Sequence, residues 1–337
     1  RQNGMMLGGP MYAIERGMNC KWLAVLFALF AFLASFGIGC TIQSNAIATM
    51  ADESFGWDSQ YVGIILAALV GCVIIFGVKG ISKVCELLVP FMAALYIIGC
   101  LVLLVINVNL LPEAILTIVK SAFSDQAAAG GFVGSTIMIS MRYGIARGLF
   151  SNEAGLGSAP IVDACAATRN PSRQALISMS GVFWDTIVVC LMTGLVIVSS
   201  VISNDAINLA DGSITTSAVL VSKTFGQIPT IGTPLLVFGI LTFAYSTILG
   251  WSYYGENAIR YLFGHKSIIP YRIAWIVVIF LGVVFSESSV WVVADILNAA
   301  MCVPNCILIL MLGKQMLKDT KYYLVGDRLD EVDPDLE

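Results

Sequence analysis

Residues 142–160 read RYGIARGLFSNEAGLGSAP: two arginines, a glutamate, an asparagine and four glycines between long apolar runs. Charge and helix breakers at this density need a reason in so apolar a neighbourhood, and the reason decides the fold. The apolar block around the stretch, residues 131–165, is one of eight. The others are 22–50, 61–78, 84–107, 175–202, 232–262, 271–286 and 290–313.

Of the 337 residues 58% are hydrophobic and only 12% charged, and the mean hydropathy is +0.87, outside the range of soluble globular domains. A span needs roughly 20 apolar residues, and backbone groups in lipid must be paired within the segment. The eight blocks therefore read as helices and not as barrel strands, which alternate over about ten residues. The chain is expected to be an all-α polytopic membrane protein: a loop over 1–21, a transmembrane domain over 22–313 and a charged tail over 314–337. Of the 18 basic residues, fourteen fall in one alternating set of connections, which includes both ends of the chain. Only Lys120 and Lys223 fall in the other set. This bias places both ends on the cytoplasmic side. The two remaining bases, Arg142 and Arg147, belong to the opening stretch, inside the fourth block.

As one straight helix, 130–168 would run about 55 Å at about 1.5 Å per residue, against a hydrocarbon core of about 30 Å. Part of it is therefore not helical. Gly144, Gly148, Gly155 and Gly157 mark the candidates for the break, and Ser158 before Pro160 reads as a fresh helix start, with a second half to about Ala167. An interrupted membrane helix exposes backbone N–H groups at one half-helix end and carbonyls at the other, which suits a carboxylate and a small cation. The alternative is a glycine-rich packed helix with Arg142, Arg147 and Glu153 in an internal ion pair.

Two further blocks carry polar groups at membrane depth. In the first, Thr41, Gln43, Ser44 and Asn45 crowd one end, which should face protein or water. In the sixth, LTFAYSTILGWSYYGENAIRYLFG, Ser246 and Thr247 present oxygens suited to a hard monovalent cation, and Trp251, Tyr253 and Tyr254 offer an apolar wall. Back-bonding of the hydroxyls to the helix and an interfacial aromatic belt are the bland alternatives. Asp185 is expected to pair with Arg142, Arg147 or a loop base, and Glu86 and Glu256 to snorkel or pair. Asp295, Asn298, Pro304 and Asn305 interrupt the eighth block. Residues 113–123 and 215–226 read as partial helices in long connections, GGPMYAIERG as a tight turn before a short interfacial helix, and the tail as flexible.

The nine cysteines show no metal-ligand spacing, and the single histidine, His265, sits in a basic loop. No nucleophile with a histidine base stands out, so an enzyme is not expected, nor a cofactor, nor a metal beyond a hard monovalent cation, nor a nucleic-acid partner. A channel would need repeated polar lining, which is not visible.

GLFSNEAGLGSAP (148–160), preceded by GGFVGSTIMISMRYGIAR, closely resembles the signature of the alanine or glycine:cation symporters, the sodium/alanine symporters. GGPMY (8–12), IQSNAIA (42–48) and ILGWSYYGE (248–256) follow in the family's order and spacing. The resemblance implies a LeuT-like fold of two inverted five-helix repeats, with the eight helices as core helices three to ten. The opening RQNGMMLGGPMYAIERGMNCKW has no apolar leader and no initiation context, so helices carrying much of the site are expected upstream. The resemblance further implies sodium-coupled symport of a small neutral amino acid in the plasma (inner) membrane. Substrate contact would come from Gln43, Tyr143, Gly144, Gly148, Phe150 and Trp251, and cation ligation from Ser246 and Thr247. A gating or structural part would fall to Arg142, Arg147, Ser151, Asn152, Glu153, Gly155 and Gly157. Proton coupling and a channel are the competing readings.

Overall fold

The computed structural model describes residues 7–123, 144–204, 207, 217–284 and 287–333. Among them six helices are long and apolar enough to cross a membrane: Lys21–Phe55 (α2), Gly77–Ile106 (α4), Pro171–Ser203 (α8), Gly232–Phe263 (α10), His265–Val284 (α11) and Trp291–Val325 of α12, which runs Glu287–Thr320 and continues π-helical over Lys321–Val325. α3, Ser59–Ile74, is apolar but shorter. The fourth apolar block is described only from residue 144 onward. There the chain is helical over 144–152 (α6), turns through 153–158 and resumes as α7, Ala159–Asp163.

Shorter elements fall where the connections were read as partly helical: α1, Pro10–Gly17, started by Pro10 at its first turn, α5, Leu111–Phe123, and α9, Ser217–Phe225. The fold is carried by α2 and α10. At 35 residues α2 runs about 52 Å, more than a bilayer's thickness, and its middle, Ser35–Thr41, is π-helical. Small residues there let neighbours come close. A Cβ on Gly39 would overlap Trp251 of α10, and one on Gly37 would stand 3.5 Å from the Ala294 backbone of α12. The wide turn displaces carbonyls from the usual ladder, and side chains take them up. Thr41 Oγ1 donates to Gly37 O at 2.9 Å, Gln43 Nε2 to Ile38 O at 3.3 Å and Ser44 Oγ to Cys40 O at 2.8 Å.

The core lies between α2, α10 and α11, around Phe27, Ile248, Leu249, Trp275 and Ile279, each shielded from solvent. Phe36, Tyr271 and Trp275 stack along it with ring centroids 5.5–5.6 Å apart. α4 and α8 instead expose large apolar side chains such as Leu87, Phe91, Val105, Ile177 and Phe183, as helices facing hydrocarbon do.

One group of charges is buried in this frame. Glu256 Oε1 accepts from Arg260 Nη2 and Oε2 from Arg272 Nε, both at 2.8 Å, with Glu256 and Arg260 side chains 8% and 7% exposed. Arg272 also donates to Ile75 O at 3.2 Å, tying the ends of α3, α10 and α11 together. Glu256 is thus paired and does not snorkel.

The tail is held, not loose. Asp333 N donates to Arg169 O, Asn170 Nδ2 to Leu329 O and Glu331 O, and Arg173 Nη1 meets Asp330 Oδ1 at 2.8 Å. Asn170, fully buried, also caps α8 by accepting from Arg173 N at 2.9 Å.

Candidate functional site

In the described part of the fourth block the chain breaks at the second pair of candidate glycines and not at the first. Residues 144–152 are helical, so Gly144 and Gly148 lie inside a helix, where a Cβ on either would meet nothing within 4 Å. The chain leaves the helix at Glu153 (φ 51°) and passes Gly155 (φ 76°) and Gly157 (φ 83°), three left-handed residues in five. A side chain at such a φ costs about 1–2 kcal/mol, which is why glycine holds two of the three places. The resumed half is α7 and ends at Asp163, short of Ala167. Its last turn tightens into i+3 bonds, Cys165 N to Val162 O and Ala166 N to Asp163 O. Ser158 precedes α7 but does not cap it. Its hydroxyl donates to Glu153 Oε2 at 2.5 Å and closes the turn upon itself.

Three elements cradle the turn. Asn305 of α12 donates Nδ2 to Gly155 O at 2.9 Å, and a Cβ on Gly157 would press within 2.8 Å of both Asn305 and Pro10. A Cβ on Gly8 would overlap Ala164 and one on Gly9 would stand 2.8 Å from Ile161, so the GGPMY segment packs directly on the turn and on α7. From α10, Trp251 (4% exposed) turns its indole to Glu153. Tyr254 stands edge-on to Trp251 at 5.2 Å, and the Tyr253 hydroxyl meets Cys165 Sγ at 2.8 Å. Outside the spans, in α1, burial pushes the Tyr12 phenol above its usual range, against the pull of Arg260 and Arg16.

α6 is fastened on both flanks. Arg147 Nη2 donates to Asp295 Oδ2 of α12 at 2.6 Å while its guanidinium lies 4.1 Å over the Trp291 ring. Its Nη1 is buried with no partner among the described residues. Phe150 packs on the same Trp291, centroids 5.2 Å apart. On the opposite flank Ser151 donates to Asp185 Oδ2 and Asn152 accepts from Thr186 Oγ1, both at 2.7 Å. Asp185 and Thr186 belong to a second π-helical stretch, Trp184–Cys190 of α8. The expected partners change accordingly. Arg147 pairs with Asp295 and not with Glu153 or Asp185, because α6 presents it to α12, and Asp185 takes a serine hydroxyl in place of a base. Arg142 and Tyr143 lie outside the described residues.

Ser246 and Thr247 both donate to Phe243 O at 2.9 Å. Back-bonding spends the hydroxyl protons and leaves lone pairs on two adjacent oxygens free to accept or to ligate a hard cation. Gln43, two residues beyond the π stretch of α2, is half-buried. Sequence reasoning missed Trp291, the pairing role of Asp295 and the π stretches of α2 and α8. The spacing of Gly37 and Gly39 in SFGIGC was the available signal for the first of these stretches.

Six long apolar helices, with a further apolar block interrupted by a left-handed turn beside Trp251, mark a multi-pass membrane protein. A match to the sodium:alanine symporter family covers residues 1–335, and the chain belongs to that family. It is a sodium-coupled amino-acid symporter by class, not an enzyme. It is 45% identical over 335 residues to an uncharacterized transporter of Haemophilus influenzae, across 99% of this chain and 72% of the relative. The sodium/alanine symporter AgcS of Methanococcus maripaludis is 44% identical over 95% of this chain and 70% of its own. The probable sodium/glutamine symporter GlnT of Bacillus subtilis is 37% identical over 94% and 64%.

Proposed function

We propose that the protein couples inward movement of sodium to uptake of a small neutral amino acid, alanine or glycine, by alternating access. In this reading the fold is LeuT-like, with eight spans standing as core helices three to ten within 22–313. The 1–21 loop and the 314–337 tail lie in the cytoplasm and the spans in the plasma membrane, as the distribution of basic residues between connections supports. The observation that carries the reading is the left-handed turn Glu153–Ser158, which frees backbone N–H and carbonyl groups beside Trp251 and α12.

In the proposed division of labour Gln43, Tyr143, Gly144, Gly148, Phe150 and Trp251 bound the amino acid, and Ser246 and Thr247 ligate sodium. The cation and the zwitterion share one cavity, so each favours binding of the other. Arg147 acts as a latch: its ion pair with Asp295 joins α6 to α12 beside the Phe150–Trp291 contact, and Arg142 would support it. Ser151, Asn152, Glu153, Gly155 and Gly157 form the inner gate, which opens when the turn leaves Asn305.

The name of AgcS supports alanine, and that of GlnT makes glutamine the competitor to exclude. Uptake of labelled alanine into proteoliposomes, under imposed sodium or proton gradients and with glycine and glutamine as competitors, tests both parts. Accumulation that follows the sodium gradient and is blocked by glycine supports the proposal. Accumulation indifferent to sodium rejects the coupling, and stronger competition by glutamine rejects the substrate.

A further inference from the structure

A cavity of about 440 Å³ lies between α2, α3, α4 and α10. Its α3 wall is the stripe Val62, Ile65, Leu66 and Leu69, one face of a helix by spacing. Ile65 and Leu69 are 56% and 54% exposed, so the cavity opens sideways, onto the surface that spanning helices turn toward hydrocarbon. The two hydroxyl-bearing side chains in its lining already have partners. Thr242 Oγ1 donates to Phe238 O at 2.7 Å and Gly239 O at 2.9 Å, and Tyr245 OH to Leu69 O at 3.2 Å. A polar guest would give up water there and gain no hydrogen bond in return, whereas a hydrocarbon chain would not.

The mouth has the opposite character. Phe55, the last residue of α2, and Trp57, just after it, line one end with ring centroids 5.2 Å apart. The last turn of α2 carries Asp52 and Glu53 and the connection to α3 carries Asp58, and no basic residue occurs between Lys21 and Lys79. Asp52 and Asp58 are exposed, and Asp58 Oδ1 accepts from Gln60 N at 2.8 Å as the α3 cap. An apolar trough under an acidic, tryptophan-bearing rim fits an amphiphile with a cationic group at the interface. We propose that the trough holds one acyl chain of an aminophospholipid of the phosphatidylethanolamine class, its ammonium group lying against the Asp52 and Asp58 carboxylates. Anionic lipids are disfavoured by the same charges.

The test is independent of transport. The full-length protein is reconstituted in phosphatidylcholine vesicles and titrated with phosphatidylethanolamine or phosphatidylglycerol brominated in the acyl chains. The difference between the parent and Trp57→Phe isolates quenching at Trp57. The brominated aminolipid is expected to half-quench Trp57 at a mole fraction about fivefold below that of the brominated anionic lipid. Asp52→Asn with Asp58→Asn keeps the helix cap, since asparagine caps as well as aspartate, and should abolish this preference. Ala51→Leu, which fills the trough, should reduce quenching by both lipids to the bulk level. Equal mole fractions for the two lipids, or a preference that survives the double asparagine variant, would overturn the proposal. So would quenching no greater than that of bulk lipid in the parent, the result expected if another protein segment or a second copy covers the trough.

Discussion

Gly157→Ala tests the reading of the turn at its tightest point. At φ 83° an added side chain costs about 1–2 kcal/mol of backbone strain. The new methyl would also stand 2.7 Å from Pro10 Cγ and 2.8 Å from Asn305 Cγ and Oδ1. Neither neighbour yields easily, because Pro10 is a ring at the start of α1 and Asn305 is held by its bond to Gly155 O. Overpacking of this kind adds about 1–3 kcal/mol, so the whole cost is about 2–5 kcal/mol. Thermal unfolding in detergent should show a midpoint lowered by several degrees, and uptake in proteoliposomes should fall with it. Gly148→Ala is the internal control, because its Cβ meets open space in a helix and should be neutral or stabilising by up to about 1 kcal/mol. If Gly148 bounds the amino acid as proposed, its uptake falls while its midpoint holds. A Gly157→Ala protein as stable as the parent would refute the left-handed turn, and a Gly148→Ala protein that unfolds early would refute the helical assignment of 144–152.

Four further outcomes follow from named contacts. Glu256→Gln removes the carboxylate that two arginines share in the interior, and unfolding should become easier by about 3–5 kcal/mol, measured in denaturant titrations of the reconstituted protein. Thr247→Val removes one of the two adjacent oxygens and should raise the sodium concentration for half-maximal uptake about tenfold, with little change in thermal midpoint. Asn170→Ala removes a helix cap together with two bonds to the tail. Its cost is about 1–2 kcal/mol, and limited proteolysis should cut near residues 327–333 faster than in the parent. Asp295→Asn should impair uptake by loosening the join between α6 and α12, and Asp295→Glu should restore part of it.

Six of the eight expected spans, the short connecting helices and the turn in the described part of the fourth block could be read from hydropathy, turn residues and block length, because each depends on nearby sequence. Of the four glycines offered for the interruption, Gly155 and Gly157 lie in the turn and Gly144 and Gly148 do not. Gly144 and Gly148 look like breakers in isolation, but 144–152 is helical and its end is fastened to α8, where Ser151 donates to Asp185 and Asn152 accepts from Thr186. The π stretch of α2 is likewise settled by the close approach of Trp251 and Ala294, residues more than two hundred positions away. Arg147 and Asp295 are 148 positions apart, and local spacing carries no trace of such a pair. The acidic tail has the composition of a loose end, and it is held because Asn170, Arg169 and Arg173 present donors to its carbonyls and to Asp330.

The central claim is that sodium and a small amino acid bind side by side at the broken helix. It is tested most directly by measuring the dissociation constant of each ligand in the absence and presence of the other, by calorimetry on the purified full-length protein. The account predicts that saturating alanine lowers the sodium constant, and that saturating sodium lowers the alanine constant by the same factor, in the range of 5–150 that such couplings typically span. Constants that each ignore the other ligand would contradict it.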